Sequence, residues 1–125
     1  DRAGVAVTVE PWSALPSLRA AALVSTVPAG AADDLAATAA AVAPVVLDVV
    51  YHPWPTPLAT AVAAAGGRLA TGLDMLLHQA FGQTEHFTGR PAPRAAMRAA
   101  LRTRLGPAAP PLHLPEDAAA PPARR

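Results

Sequence analysis

The run VVLDVV at residues 45–50 is nearly all apolar and lacks the polar residue at every second place that a strand with one wet face carries. It fits a strand buried on both faces of a parallel sheet, and a parallel neighbour needs a crossover connection, most often a helix. The sequence downstream supplies one. Thr56 is suited to an N-cap with Pro57 at the first helical position, and this helix is predicted to run to about Ala65, where Gly66-Gly67 stops it. Residues 68–71 (RLAT) then read as a short strand, and Gly72 releases the chain into a helix from Leu73 to about Phe87. Pro93 opens a last helix, from Arg94 to about Leu105, which Gly106-Pro107 ends.

Upstream, residues 5–9 (VAVTV) alternate and are rich in β-branched side chains, which predicts a strand closed by Pro11. Residues 17–21 have the length of one helical turn, and residues 22–27 form a second apolar run of strand length stopped by Pro28 and Gly30. Residues 33–43 predict an alanine-rich helix ended by Pro44, with Asp33 and Asp34 placed for an N-cap and for the positive end of the helix dipole. Strands separated by helical crossovers imply an α/β fold. With about four strands, this is the second half of a doubly wound, Rossmann-like parallel sheet followed by C-terminal helices. The Pro- and Ala-rich residues 106–125 lack periodicity and are expected to be a disordered tail.

Composition narrows the function. The chain is 52% hydrophobic, but much of that is alanine, which buries little area, so the core is expected to be marginal unless something else covers it. There is no Lys, Ile, Asn or Cys, which leaves arginine every fixed cationic role and excludes disulfides, thiolate metal sites and a cysteine nucleophile. The net charge is +1 with scattered arginines, so no basic stripe tracks a nucleic-acid backbone. The longest apolar stretch, residues 35–50, is too short to span a bilayer and is interrupted by Pro44 and Asp48. The absence of cysteine is compatible with a cytoplasmic location. Starting at Asp1 without a methionine, the sequence is expected either to have lost its start or to be a fragment of a longer chain.

The four histidines have no chelating pattern, since His78 and His86 lie eight apart and no His-x3-His or acidic cluster accompanies them, so no metal is expected. No G-x-G-x-x-G turn, Walker loop or G-x-S-x-G is present, and Gly66-Gly67 is a helix stop. In an open α/β sheet, ligands lie at the carboxyl ends of the strands. Tyr51, Gly30 and Gly72 all fall just past strand ends and are expected to line one crevice. On the helix after Gly72, the stripe Leu73, Leu76, Leu77, Ala80, Phe81 and Thr84 reads as a core face, with Met75, Gln79, Gly82 and His86 on a second stripe. Taken by themselves, Tyr51 fits a half-buried aromatic as well as a ligand contact, Gln79 an exposed amide, Met75 core filler, and Asp48 either a general base or a backbone-bonded carboxylate.

Spaced motifs reduce these alternatives. D-x-x-Y at Asp48 and Tyr51, P-x-x-T-P at Pro53, Thr56 and Pro57, and G-L-x-M-L-x-x-Q-A from Gly72 to Ala80, with F-T-G at residues 87–89 and LVSTVPAG at residues 23–30, resemble the C-terminal part of shikimate dehydrogenases. The resemblance covers nearly the whole chain up to about Leu105. It implies residues 1–72 as the C-terminal half of an NADP-binding Rossmann-like domain and residues 73–105 as the C-terminal helices. It implies NADP-dependent interconversion of 3-dehydroshikimate and shikimate in aromatic amino acid biosynthesis, with Tyr51 and Gln79 on the substrate. Thr26, Val49, Gly72 and Met75 would face the cofactor, and Asp48 would bond backbone or a neighbouring loop. Ser25, Thr26 and Val27 depart from the Asn, Ala and Thr usual in that family's loop, and His52 from its Asn or Asp. The family's substrate domain, first Rossmann half, catalytic lysine and catalytic aspartate are not in this sequence, so no catalytic residue is expected here and the isolated chain is expected to be inactive. The alternative is a stand-alone, non-catalytic α/β module that binds a small molecule or partner.

Overall fold

A computed structural model describes residues 4–114. Three parallel strands, β1 (Leu23–Ser25), β2 (Val45–Asp48) and β3 (Arg68–Thr71), form one sheet in that spatial order. Helix α1 (Ala36–Val42) links β1 to β2, and α2 (Pro57–Ala64) links β2 to β3. Each crossover is helical, as parallel pairing requires. The register sets Val46 opposite Leu23 and Leu69, and Asp48 opposite Ser25 and Thr71, so all three strands end at one edge. Two helices follow, α3 (Gly72–Thr88) and α4 (Arg94–Leu105).

The boundaries follow local chemistry. At α2 the Thr56 hydroxyl accepts from the Ala59 amide at 3.0 Å, with Pro57 at the first helical position. At the end of α3, Gly89 takes the left-handed conformation (φ 64°, ψ 16°), which only glycine adopts without a Cβ penalty. Two small cores result. Val42, Val46 and Val62 are buried with Ala36, Ala43 and Ala59 around the first two helices and the sheet. Leu73, Leu77 and Phe81 of α3 form the second core with Leu112 and Leu114, flanked by Ala92, Met97 and Leu101.

Several expectations are corrected. Residues 5–9 form no strand: Val5, Val7 and Val9 are 60%, 82% and 92% exposed, and no described strand pairs with them. Alternation alone cannot make a strand when the backbone groups lack a ladder partner. Three strands are therefore described, where about four were expected. The helical turn expected at residues 17–21 lies earlier, as a 3-10 helix Trp12–Ser17 containing Pro16. Asp33 and Asp34 do not cap α1. They start a separate 3-10 turn, Asp33–Leu35, and no side chain caps either segment. β2 is not buried on both faces, because Val46 and Asp48 are buried while Val45 is 37% exposed.

The largest correction concerns residues 106–114, which composition assigned to a disordered tail. They pack back on α3 and α4, with Pro110, Leu112 and Leu114 buried. Residues 115–125 of that predicted tail lie outside the described residues. Among the described residues no helix is long and apolar enough to cross a membrane.

Candidate functional site at the carboxyl edge of the sheet

The edge is built around Asp48, the last residue of β2. Its side chain is buried, and both oxygens are used: Oδ2 accepts from the Thr56 hydroxyl at 2.8 Å and Oδ1 accepts from the Val50 amide at 3.2 Å. Since Thr56 also caps α2, this carboxylate clamps the whole 48–56 connection to the strand end from which it leaves. A carboxylate so engaged holds the loop. Of the two roles open to Asp48 in the sequence, these bonds are those of the backbone- and loop-bonding one. A further tie runs across the sheet, where the Val49 amide donates to the Ser25 carbonyl at 3.1 Å.

Tyr51 lies within this clamped connection, 39% exposed, with its ring against Gly72. Gly72 is buried and packed so closely that a β-carbon there would overlap the Val49 carbonyl oxygen and lie 2.9 Å from Tyr51 Cδ1. Val49, Tyr51 and Gly72 thus meet at one point, and only a residue without a side chain lets them. Gly72 also begins α3. At about 100° per residue, Met75, Leu76 and Gln79 share its side of the helix, with Gln79 about 10 Å further along. Met75, Leu76 and Gln79 are exposed. The expectation that placed Leu76 in the core stripe is corrected here, since it is 44% exposed and belongs to the outer stripe.

Thr26 follows β1 directly and is exposed, but β2 separates it from β3, so it stands about 10 Å from the Gly72 corner at the usual strand spacing. Gly30 likewise lies toward β1. It lines a mostly apolar cavity of about 300 Å³ with Trp12, Leu15, Ser25, Asp48 and Leu58, and neither Tyr51 nor Gly72 reaches it. The edge therefore holds two separate features, an exposed corner of Tyr51 with the outer stripe of α3 and a cavity beside β1. The single crevice uniting Tyr51, Gly30 and Gly72 is replaced by these two. Among the described residues no group of three or more His, Asp or Glu gathers closely enough to hold a metal ion.

One constellation was not anticipated. Thr71-Gly-Leu-Asp74 carries the [ST]-x-x-[DE] signature of a capping box, a readable signal. Asp74 is buried, and its Oδ2 accepts from the Thr71 amide at 2.9 Å, fixing the start of α3. Its Oδ1 accepts from the His113 amide at 2.7 Å, and His113 Nδ1 lies 3.2 Å from both oxygens.

Comparison with known proteins agrees with this architecture. Residues 72–102 match the Shikimate 5'-dehydrogenase C-terminal domain. The chain is 44% identical over 75 residues to shikimate dehydrogenase (NADP(+)) of Thermosynechococcus vestitus, covering 60% of this chain and 26% of that protein. It is 53% identical over 60 residues to the Halobacterium salinarum protein of the same name, covering 48% and 23%. The crystal structure of Mycobacterium tuberculosis shikimate dehydrogenase superposes with a TM-score of 0.64 at 61% identity, covering 70% of this chain and 33% of that one. The chain thus spans about a quarter of the length of these curated relatives. An in-order parallel sheet with helical crossovers and C-terminal helices, the first starting at the last strand end, defines a parallel α/β unit. Within that class, the chain is similar to the C-terminal region of shikimate dehydrogenases.

Proposed function

We propose that this chain supplies one wall of the active site of an NADP-dependent shikimate dehydrogenase, within a longer protein that interconverts 3-dehydroshikimate and shikimate in aromatic amino acid biosynthesis in the cytoplasm. The observation that supports it most is the meeting of Val49, Tyr51 and Gly72 at the start of α3, from which the stripe of Met75 and Gln79 extends. In this reading Tyr51 and Gln79 contact substrate hydroxyls, the hydroxyl as donor or acceptor and the amide as both. Val49 and Met75 offer apolar surface to the nicotinamide, and the Gly72 backbone lies beside it. Thr26 faces the dinucleotide from the end of β1. When bound in its reduced form, NADPH, the cofactor would supply hydride to the 3-dehydroshikimate carbonyl carbon, and the proton would be handled outside this chain, which contains no lysine. The residues here bind and orient.

The test is steady-state kinetics on the complete enzyme with both substrates varied. Gln79→Ala is expected to lower shikimate kcat/KM by the equivalent of about 1–3 kcal/mol, the cost of a lost hydrogen bond in a desolvated site. Tyr51→Phe is expected to do likewise while leaving the KM for NADP nearly unchanged. Wild-type efficiency in both variants would overturn the assignment. A complete lack of turnover by the longest natural protein that contains this chain would favour the stand-alone binding module.

A further inference from the structure

Helix α3 has two sides. Gly72, Met75, Leu76 and Gln79 occupy one, and Leu73, Asp74, Leu77, His78 and Phe81 the other, at about 100° per residue. The second side is covered by residues 109–114, which are tethered at three places. Arg102 of α4 donates from Nη1 to the Pro110 carbonyl at 2.8 Å. Leu112 and Leu114 insert into the Leu73, Leu77 and Phe81 cluster. Between those leucines, His113 sits over the start of α3: its amide and Nδ1 reach Asp74, and its carbonyl accepts from His78 Nε2 at 3.2 Å, one turn along the same helix. Because a carboxylate only accepts, Nδ1 must carry the proton in this contact. The alternation Leu112-His113-Leu114 gives an extended segment with apolar side chains inward, and 113 is the only position there that turns a polar side chain to Asp74.

We infer that residues 110–114 form a built-in strap that positions α3 from behind, with His113 as a positioning residue acting through Asp74. Asp74 joins two functions, since the same carboxylate completes the capping box at Thr71 and receives the strap. The strap therefore sets the first two turns of the helix that carries the Met75 and Gln79 stripe on its opposite side. Its bearing on ligand binding rests on the functional reading above, whereas its existence as a latch does not.

Amide hydrogen exchange read by mass spectrometry on the full chain tests it without ligand. Exchange across residues 72–80 in His113→Ala is expected to rise about tenfold, the effect of removing one hydrogen bond to a carboxylate. His113→Asn, whose side-chain amide can donate to Asp74, is expected to restore most of the protection, which a merely space-filling role would not predict. Asp74→Asn, which replaces one acceptor oxygen by a donor, is expected to raise exchange in residues 72–80 more than His113→Ala does. In all three variants α2, none of whose residues belongs to the cluster that holds Leu112 and Leu114, serves as the internal control and is expected to keep its protection. Unchanged exchange in residues 72–80 for both His113→Ala and Asp74→Asn would overturn the inference. So would failure of His113→Asn to rescue, or loss of protection in α2 to the same degree as in α3. If the latch stands while Gln79→Ala leaves shikimate turnover unchanged, the strap is retained and only the ligand reading falls.

Discussion

Replacing Gly72 by alanine tests the central geometric statement, because the space for a β-carbon at the start of α3 is already taken. The added carbon would overlap the Val49 carbonyl oxygen and lie 2.9 Å from both the Val49 carbonyl carbon and Tyr51 Cδ1, against an ordinary carbon–carbon separation of about 3.5–4.0 Å. Two of those three atoms are backbone, tied to the sheet by the Val49 amide bond to Ser25 and by the Asp48 clamp, so relief requires moving a strand end or the helix. Overpacking of this kind costs about 1–3 kcal/mol, and a backbone obstacle argues for the upper part of that range. Helix propensity opposes the loss by no more than about 1 kcal/mol. A net destabilisation of about 1–2 kcal/mol is therefore expected, read as a lower urea midpoint at unchanged slope. Gly82→Ala provides the control. Gly82 lies inside the same helix with nothing within 4 Å of a built β-carbon, so propensity acts unopposed and the midpoint is expected to rise by the equivalent of about 0.5–1 kcal/mol. If Gly72→Ala raised the midpoint as Gly82→Ala does, the close approach of Val49, Tyr51 and Gly72 would be refuted.

Thr56→Ala removes both the α2 cap and the donor to buried Asp48 Oδ2, and is expected to cost about 2–3 kcal/mol in urea unfolding, while Thr56→Ser keeps the hydroxyl and most of the stability. The isolated chain, with a first core made only of alanine and valine, is expected to unfold with less than about 5 kcal/mol; a cooperative high-temperature melt of the monomer would contradict this and favour a self-standing module. The same chain, lacking lysine and a G-x-G-x-x-G turn, is expected to show no shikimate-dependent reduction of NADP in a spectrophotometric assay, and measurable turnover would refute the incomplete-site reading.

Elements whose limits are set by neighbouring residues were legible. The predicted β3 and α4 coincide with Arg68–Thr71 and Arg94–Leu105, because a Gly-Gly stop, a capping threonine and a Pro/Gly bracket act within a few residues. Failures came where structure depends on something distant. The pattern of residues 5–9 is a strand pattern, but a strand also needs a neighbour to bond with. Residues 106–114 look like tail because Pro and Ala dominate, and Leu112 and Leu114 matter only through a cluster more than 30 residues back in the chain. Of the candidate site, the nearness of Tyr51 and Gly72 followed from strand-end placement, whereas the Val49 carbonyl at the same point did not. The separation of the Gly30 cavity from that corner did not, since it depends on the segment of Trp12 and Leu15, which lines the cavity together with β1.

The double engagement of Asp48 has a practical consequence for anyone scanning this chain by alanine. A buried acid three residues before an exposed tyrosine will, when truncated, depress whatever activity the corner supports and so imitate the loss of a proton acceptor. The isosteric amide separates the two cases. In Asp48→Asn the carbonyl can still accept from Val50, while the side-chain amide can donate to the Thr56 oxygen if that hydroxyl turns its proton away. Retained activity in Asp48→Asn beside lost activity in Asp48→Ala would assign the residue to architecture, and equal loss in both would reopen the question of chemistry.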